Sequence, residues 1–261
     1  MTRKINTPVL VTGGTGTIGR LTVPLLVAAG RTVRVLSRGG RPADIAPDPR
    51  VAYVQADLLA DGELDPVLIG GAETVLHLAG GPKGDDAATA RLVRAARAAG
   101  TVKHLVLVSV VGADAMPLGY FRAKAGAERA VMESGIGWTV LRAAQVNELL
   151  LKMVGAMRRM PLVPAPGGLR FQPVDAAEVA TRLVELTLGE PTGRVPDLAG
   201  PGVYTLPEPA AAQRVAAGAT PRRTLPVRLP GKVGRAYRAG ANLTSGDARI
   251  VGRDWEAFLA S

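Results

Sequence analysis

Short apolar runs alternate with longer mixed segments along the chain up to about residue 145. Six of these runs are five to seven residues long and rich in β-branched residues, which is typical of β-strands. They cover residues 8–12, 32–37, 51–55, 74–79, 104–110 and 138–142. Several are apolar at nearly every position, as expected for strands that are covered on both faces of a sheet.

Alanine- and leucine-rich segments separate these runs and predict helices. The segments 17–30 and 85–100 each end on a glycine, Gly30 and Gly100, which indicates a helix C-terminus. A repeated strand, helix, strand order predicts an α/β fold with a doubly wound, Rossmann-like parallel sheet.

Beyond about residue 145 the pattern is less regular. Residues 148–168 predict an amphipathic helix that runs into a proline- and glycine-rich loop. Asp175 and Glu178 have the spacing of a capping box, so we expect these acids to begin a helix rather than to act on a substrate. No linker or internal repeat is visible, and we predict one domain over residues 1–261 in which residues from about 145 to 261 form a smaller lobe.

The composition limits the chemistry that the chain can perform. Hydrophobic residues make up 47% and aromatic residues only 3%, too few rings for a platform that stacks single-stranded nucleic acid. There is no cysteine and there are two histidines, which excludes disulfides, thiol nucleophiles and the usual zinc sites. We therefore expect no metal, and any reaction must use oxygen groups, lysine or a bound cofactor.

The net charge of +10 is concentrated late in the chain. Between residues 222 and 253 the single acid Asp247 stands against eight cations: Arg222, Arg223, Arg228, Lys232, Arg235, Arg238, Arg249 and Arg253. We interpret this stretch as a solvated basic surface, with a surface for an anionic ligand or partner as the alternative. Nucleic-acid binding is disfavoured because charge is the only feature behind it.

The N-terminal sequence gives no sign of a targeting segment. Its first apolar run breaks at Gly13, too early for a signal peptide, and no stretch approaches the length of a membrane span. We predict a cytoplasmic protein without a membrane partner, and the oligomeric state is left open.

The loop "VLVTGGTGTIGR" joins the first predicted strand to the first predicted helix. Its glycines fit two patterns: Gly13, Gly16 and Gly19 give G-x-x-G-x-x-G, and Gly14, Gly16 and Gly19 give G-x-G-x-x-G. Each pattern supplies glycine for a tight turn, for close approach of a pyrophosphate and for helix–strand packing. The following helix offers its free amides to phosphate. Because the loop follows the first strand of a β-α-β unit, it predicts a dinucleotide site that includes Gly13, Thr15, Gly16, Thr17, Ile18 and Gly19.

The end of the second predicted strand indicates which dinucleotide is bound. Proteins that prefer NAD place an acid there to hold the ribose hydroxyls, whereas this chain has Ser37 and Arg38. A hydroxyl and a guanidinium bind a 2′-phosphate that a carboxylate would repel. We therefore predict NADP(H) as the cofactor, with a solvent-exposed arginine of no special role as the alternative.

The chain resembles the short-chain dehydrogenase/reductases in four places. The resemblance rests on "TGGTGTIG" (12–19), "ADL" (56–58), "LAGG" (78–81) and the pair Tyr120 and Lys124. More narrowly, the chain is similar to the atypical, NmrA-like NAD(P)H-binding branch, which includes redox-sensing and quinone-reducing members. The resemblance is dense from about residue 8 to 147, and it implies a single NAD(P)-binding domain whose C-terminal lobe binds substrate.

The resemblance also implies roles for individual residues. It places Asp57 and Leu58 beside the adenine and Ala79 and Gly80 along the adenosine ribose. It places Ala143 and Gln145 near the nicotinamide. It makes Tyr120 the group that exchanges a proton with the substrate oxygen, and Lys124 the group that holds the nicotinamide ribose. Two simpler interpretations stay open: Asp57 caps the following turn, and His77 is a core strand residue.

Tyr120 and Lys124 are four residues apart, so they share a face of any helix that begins by about residue 119. The catalytic serine is where the chain departs from the family. The family serine is expected one or two positions beyond Ser109, where this chain has valine. Ser109 is kept as the catalytic candidate, and Gln145 or Asn147 are alternatives that could contact the substrate oxygen.

Two classes of function follow from these residues. The first is an NADPH-dependent oxidoreductase that reduces a carbonyl or quinone-like hydrophobic small molecule, for which an aromatic metabolite is one candidate. The second is a non-catalytic NADP(H)-binding redox sensor or regulator, and a cofactor-dependent isomerase or epimerase is a further alternative on the same scaffold. The methionines Met153, Met157 and Met160 favour core packing over a pocket lining.

Overall fold

The computed structural model describes residues 7–157 and 159–261 of the chain. The strands are β1 (Val9–Thr12), β2 (Val33–Ser37), β3 (Val51–Gln55), β4 (Thr74–His77), β5 (His104–Val110), β6 (Gly137–Ala143), β7 (Val163–Pro166), β8 (Arg170–Phe171), β9 (Gly193–Arg194), β10 (Leu198–Ala199), β11 (Tyr204–Thr205), β12 (Thr224–Val227) and β13 (Arg249–Ile250). The α-helices are α1 (Thr17–Ala28), α2 (Asp85–Ala99), α3 (Gly119–Met132), α4 (Asn147–Ala156), α5 (Ala176–Leu188), α6 (Pro207–Ala216), α7 (Gly231–Arg238) and α8 (Trp255–Leu259), and a 3-10 helix covers Pro66–Ile69.

Nine strands of the described ranges form one sheet of order β13-β10-β6-β5-β4-β1-β2-β3, with β9 beside β6. Strand β1 pairs in parallel with β2 and with β4, so that Val9 lies between Val33 and Thr74. The strand order therefore reverses at β1, which is the arrangement of a doubly wound Rossmann sheet. The predicted α/β fold class is confirmed.

The predicted elements of the first 143 residues agree closely with the observed ones. Strands β3 and β5 have the predicted bounds, β1, β2 and β4 differ by one or two residues at one end, and β6 is one residue longer at each end. Helix α2 ends where Gly100 takes a left-handed φ of 68° and its amide donates a hydrogen bond to the carbonyl oxygen of Arg97. The agreement is close because strand burial and glycine C-caps are both local properties of the sequence.

By internal contacts the chain separates into two units, and the first contains most of the parallel sheet. It comprises the described residues up to Ser109 with Ala123–Leu141 and Ala180–Val195. Its core consists of apolar side chains from the strands, the 3-10 helix, α2 and α3, and its fully buried members include Leu10, Ile69 and Leu92.

The second unit comprises Val110–Arg122, Arg142–Val179 and Pro196–Ser261 and has a core of its own. Leu150, Phe171 and Trp255 are buried there, and Met153 and Met157 pack against them as predicted, whereas Met160 is exposed. The prediction of sequence 148–168 was incomplete, because residues 163–166 form strand β7 and pair in parallel with β12. The partner strand lies some sixty residues later (163 against 224), so no local pattern contains the pairing.

The described part of the chain lacks two kinds of feature. None of its helices combines the length and the apolar character that a membrane span requires. Within the same residues, no three side chains of the His, Cys, Asp or Glu type come together in a group that could hold a metal ion.

Candidate functional site

The carboxyl ends of β1, β2, β3 and β4 border one cavity of about 660 Å³ within the first unit. Ligands of open α/β sheets bind at this edge, where the strand order reverses. Nine of the residues predicted to bind a cofactor line the cavity: Gly13, Thr15, Gly16, Ser37, Arg38, Asp57, Leu58, Ala79 and Gly80. The volume is within the range of small-molecule and cofactor sites.

The glycine loop forms one wall of the cavity and allows no side chain at its turn. Gly13 has a left-handed φ of 70°, and a Cβ atom there would lie 2.5 Å from the amide nitrogen of Ala79. A Cβ atom on Gly19 would lie 2.2 Å from the carbonyl oxygen of Gly13. Both positions therefore require glycine if the loop is to pack between strand and helix.

Helix α1 begins directly after this loop. Its N-cap residue, Gly16, has no side chain that could cap the first turn, which contains the predicted residues Thr17, Ile18 and Gly19. The first amides of a helix have no partner within the helix and carry its positive dipole end. This arrangement fits the pyrophosphate of a dinucleotide, which needs amide donors and a close backbone.

At the end of β2, the guanidinium of Arg38 is exposed and has no hydrogen-bond or ion-pair partner among residues 7–157 and 159–261. Two neighbouring arginines are engaged: Arg20 lies 2.6 Å from Asp44, and Arg41 donates a hydrogen bond to the carbonyl oxygen of Ile45. Among these three cations, Arg38 is therefore the one that is free to bind an anion in the cavity.

The segment after β3 is held by a buried arginine that sequence reasoning missed. The Arg91 guanidinium donates hydrogen bonds to the carbonyl oxygens of Asp57 at 2.9 Å and of Ala60 at 2.6 Å. The Asp57 carboxylate accepts from the amide of Leu59 at 2.9 Å, so it caps the following turn as well as lining the cavity. The residues around Arg91 do not predict this role, because only the fold brings the carbonyl groups of Asp57 and Ala60 to its guanidinium.

The end of β4 is fixed by a buried chain of hydrogen bonds. His77 Nδ1 lies 2.5 Å from the hydroxyl of Thr12, which also accepts from the amide of Ala79, and His77 Nε2 lies 2.9 Å from the hydroxyl of Thr89. Thr89 donates to the carbonyl oxygen of Asp85, so it accepts from Nε2–H and leaves Nδ1 to accept from Thr12. Burial, and then the nearby charge of Lys124, lowers the pKa of His77 to about 3, so this core histidine is neutral.

Lys124 does not line the cavity but lies behind Gly80, where its ammonium forms an ion pair with Asp85 at 2.9 Å. Asp85 itself lines the cavity and is the first residue of α2. Its other carboxylate oxygen accepts a hydrogen bond from the amide of Gly81 at 2.7 Å. Sequence reasoning missed Asp85, although an acid in the first turn of a helix was a visible signal.

Tyr120 and Ser109 have contrasting environments. Tyr120 is the second residue of α3, is 38% exposed and contacts Phe121 edge to face at a ring distance of 5.3 Å. Lys124 follows it by one turn of the same helix, as predicted. Ser109 is buried on β5, and within the described residues its hydroxyl oxygen has no hydrogen-bond partner.

Ala143 and Gln145 belong to the second unit. Ala143 ends β6 and pairs with Leu198, and the main-chain oxygen of Gln145 accepts a hydrogen bond from Val174. In the described part of the chain, the side-chain oxygen of Gln145 and both polar atoms of the Asn147 amide are buried without partners. Neither residue lines the cavity of the first unit.

Comparison with protein families supports the dinucleotide interpretation. A family model described as NAD(P)H-binding matches residues 13–161, which is more than half of the chain. The match begins at the first glycine of the loop and extends beyond α4.

Two curated proteins are similar to the chain over most of its length. An NAD(P)H azoreductase of Xenophilus azovorans is 31% identical over 217 residues, which cover 80% of this chain and 74% of that protein. Quinone oxidoreductase 2 of Escherichia coli (strain K12) is 28% identical over 211 residues, which cover 78% of this chain and 72% of that protein.

Solved structures share the fold at lower identity. A nucleoside-diphosphate-sugar epimerase of Staphylococcus aureus superposes with a TM-score of 0.76 at 18% identity, covering 98% of this chain and all of that one. An NAD-dependent NDP-hexosamine 5,6-dehydratase of tunicamycin biosynthesis gives 0.72 at 17% identity, covering 97% and 95% of the two chains. At these identities the likeness describes the fold alone.

Proposed function

The chain belongs to the NAD(P)H-binding family, and on this basis we propose that it is an NADPH-dependent oxidoreductase of the atypical, NmrA-like short-chain dehydrogenase/reductase type. The observation that carries the proposal is the cavity at the carboxyl ends of β1 to β4, with the glycine loop and the uncapped start of α1 on one side. These groups suit a pyrophosphate, and the residues that line the rest of the cavity suit an adenosine.

The proposed preference for NADPH over NADH depends on Arg38. Its guanidinium is exposed at the end of β2 and has no partner among the described residues, and Ser37 beside it supplies a hydroxyl. A 2′-phosphate forms an ion pair with such a guanidinium through hydrogen bonds that are charged on both sides, whereas ribose hydroxyls carry no charge. No carboxylate directly follows β2, where it would hold the ribose hydroxyls of NADH and repel the 2′-phosphate of NADPH.

The proposed substrate is a quinone-like or azo compound, or another carbonyl compound with an apolar body. The names of the two curated relatives, an azoreductase and a quinone oxidoreductase, support this class. When bound, NADPH supplies the hydride. In the proposed reaction the Tyr120 hydroxyl donates a proton to the substrate oxygen or nitrogen, and Lys124 holds the nicotinamide ribose.

A second group for the substrate oxygen is part of the proposal. Ser109 is buried within β5, so we assign it a lesser role than the family serine. The Asn147 amide is 1% exposed and has no partner among the described residues, and an unsatisfied buried amide is costly unless a ligand or water binds it. We therefore assign Gln145 and Asn147 to the binding of substrate or nicotinamide, with Ala143 as their main-chain neighbour.

A redox sensor is the second candidate function. It is favoured by the exposed basic stretch that contains Arg223, Arg228 and Lys232, which suits a macromolecular partner of opposite charge. Such a protein would bind NADPH through the same cavity without turning it over.

The test is NADPH oxidation by wild type and Tyr120→Phe, followed by absorbance with a panel of quinones, azo dyes and ketones. We expect wild type to oxidise NADPH with at least one quinone or azo compound, and Tyr120→Phe to lose about a hundredfold in kcat, the contribution of a general acid. The control is Tyr237→Phe, since Tyr237 lies half-buried on α7 and should not affect the rate. Tight NADPH binding without turnover on the whole panel would favour the sensor.

A further inference from the structure

The ammonium of Lys124 and the carboxylate of Asp85 form a buried ion pair beside the cavity. The two atoms lie 2.9 Å apart, and the side chains are only 10% and 6% exposed. The pair joins Lys124, in the second turn of α3, to Asp85, the first residue of α2, within the first unit. A buried ammonium is costly to desolvate unless an anion compensates its charge. The Asp85 carboxylate is that anion, so the ammonium is stable only beside it.

Two hydrogen bonds hold Asp85, one at its carboxylate and one at its main-chain oxygen. The amide of Gly81 donates to one carboxylate oxygen at 2.7 Å, and the Thr89 hydroxyl donates to the main-chain oxygen of Asp85 at 2.6 Å. Thr89 is fixed in turn by His77, which stays neutral. One carboxylate oxygen is therefore held by the main chain, and the other faces the Lys124 ammonium.

Gly80 lies directly against the ion pair. A Cβ atom on Gly80 would lie 2.8 Å from Lys124 Nζ and 3.2 Å from the Asp85 oxygen that is paired with it. Gly80 also lines the cavity, so the ion pair lies directly behind the cavity wall. Any larger residue at position 80 would separate the ammonium from the wall or the carboxylate from the ammonium.

A lysine side chain has four rotatable bonds, and it loses most of this freedom when it must hold one ligand atom. We propose that Asp85 is a positioning residue that holds the Lys124 ammonium in the orientation from which it donates to a ribose hydroxyl of the nicotinamide half of NADPH. The inference rests on the proposed cofactor and on the proposed role of Lys124. It adds a residue that contributes to NADPH affinity only through Lys124.

The test compares NADPH with 2′,5′-ADP, which lacks the nicotinamide ribose, by equilibrium titration of the full chain. Asp85→Asn keeps the acceptor for Gly81 and removes the charge. We expect this variant to bind NADPH about tenfold more weakly, the value of one lost charge-assisted hydrogen bond, and to bind 2′,5′-ADP within about twofold of wild type. Asp86→Asn is the matched control, since it removes a charge from the same helical turn at an exposed residue, and it should change neither affinity.

The double variant Asp85→Asn/Lys124→Met separates positioning from general stability. If Asp85 acts through Lys124, the double variant binds NADPH no more weakly than Lys124→Met alone. Additive losses, equal losses for NADPH and 2′,5′-ADP, or unchanged NADPH affinity would each overturn the inference. Should Asp85→Asn not fold, Asp85→Glu moves the charge by one methylene and is expected to lose affinity for NADPH alone, whereas an equal loss for both ligands would again overturn it.

These titrations do not depend on turnover. A wild type that binds NADPH but oxidises none of it would contradict the proposed oxidoreductase function and leave the role of Asp85 to be decided by the variants. A wild type that fails to bind NADPH would overturn both.

Discussion

The imidazole Nδ1 of His77 lies 2.5 Å from the hydroxyl oxygen of Thr12, at the point where β4 and β1 end side by side. The other ring nitrogen, Nε2, carries the proton and donates to Thr89, while Nδ1 accepts from Thr12. A second proton on the ring would therefore break the hydrogen bond with Thr12. Its lowered pKa of about 3 reflects burial first and the Lys124 charge second. The same hydrogen bonds support the strand ends that border the cavity.

This relationship predicts that the chain loses stability as the pH falls. In the unfolded chain a histidine takes up a proton near pH 6.5, whereas folded His77 does so only near pH 3. The stabilisation is therefore complete above about pH 6.5, and it decreases by about 1.4 kcal/mol for each pH unit from there down to about pH 3. Urea unfolding at pH 7.5, 6.5, 5.5 and 4.5 measures it, and His77→Gln, which cannot ionise, should reduce the dependence.

His104 provides the comparison, since burial lowers its pKa as well. His104→Gln should remove its own part of the pH dependence, and the double variant should remove both. A free energy of unfolding that falls equally steeply in wild type and in His77→Gln would contradict the neutral, buried imidazole.

The glycine loop predicts a difference between two substitutions that force the same backbone strain. Gly13→Ala and Gly30→Ala both place alanine at a left-handed φ, which costs about 1–2 kcal/mol. Only at Gly13 would the new Cβ atom also meet the main chain of Ala79, whereas nothing lies within 4 Å of it at Gly30. We expect Gly13→Ala to lose at least about tenfold in NADPH affinity and Gly30→Ala to keep it. Equal affinities by titration would argue against a cofactor at this loop.

Arg38 predicts the choice between NADPH and NADH. Arg38→Asp should lower the affinity for NADPH relative to NADH by at least about tenfold, because a carboxylate repels the 2′-phosphate that the guanidinium binds. Titration of both cofactors against both proteins measures the ratio. Arg97→Asp makes the same charge change at an exposed position in the last turn of α2 and should leave the ratio unchanged. A ratio that Arg38→Asp does not alter would contradict the assignment of Arg38.

The sequence was sufficient to predict the Rossmann sheet and nine residues of the cavity. Strand β5 was predictable because seven consecutive residues are buried, and burial on both faces leaves a continuous apolar run. The glycine loop was predictable because close backbone approach at Gly13 and Gly19 excludes every other residue. Each of these signals lies within a few consecutive positions.

The contacts that join distant segments could not be predicted in the same way. The carboxylate of Asp85 meets Lys124 across 39 positions (85 against 124), and Arg91 reaches the carbonyl oxygen of Asp57 across 34. Nothing in the residues around Asp85 indicates which cation it will meet, because the fold determines the distance. The burial of the Ser109 hydroxyl could not be predicted either. The valines around it are apolar on both faces of the strand, so they do not indicate which face Ser109 occupies.

The most direct test of the central claim, that the protein transfers a hydride from bound NADPH to an acceptor, is a single-turnover reaction. Wild-type protein in excess is mixed with NADPH and the best quinone or azo acceptor of the panel, and NADPH oxidation is followed for unlabelled cofactor and for each C4-deuterated stereoisomer. We predict oxidation in one turnover and a slower rate with one of the two stereoisomers, because a single face of the nicotinamide meets the substrate. No oxidation, or equal rates with both stereoisomers and unlabelled NADPH, would contradict the claim.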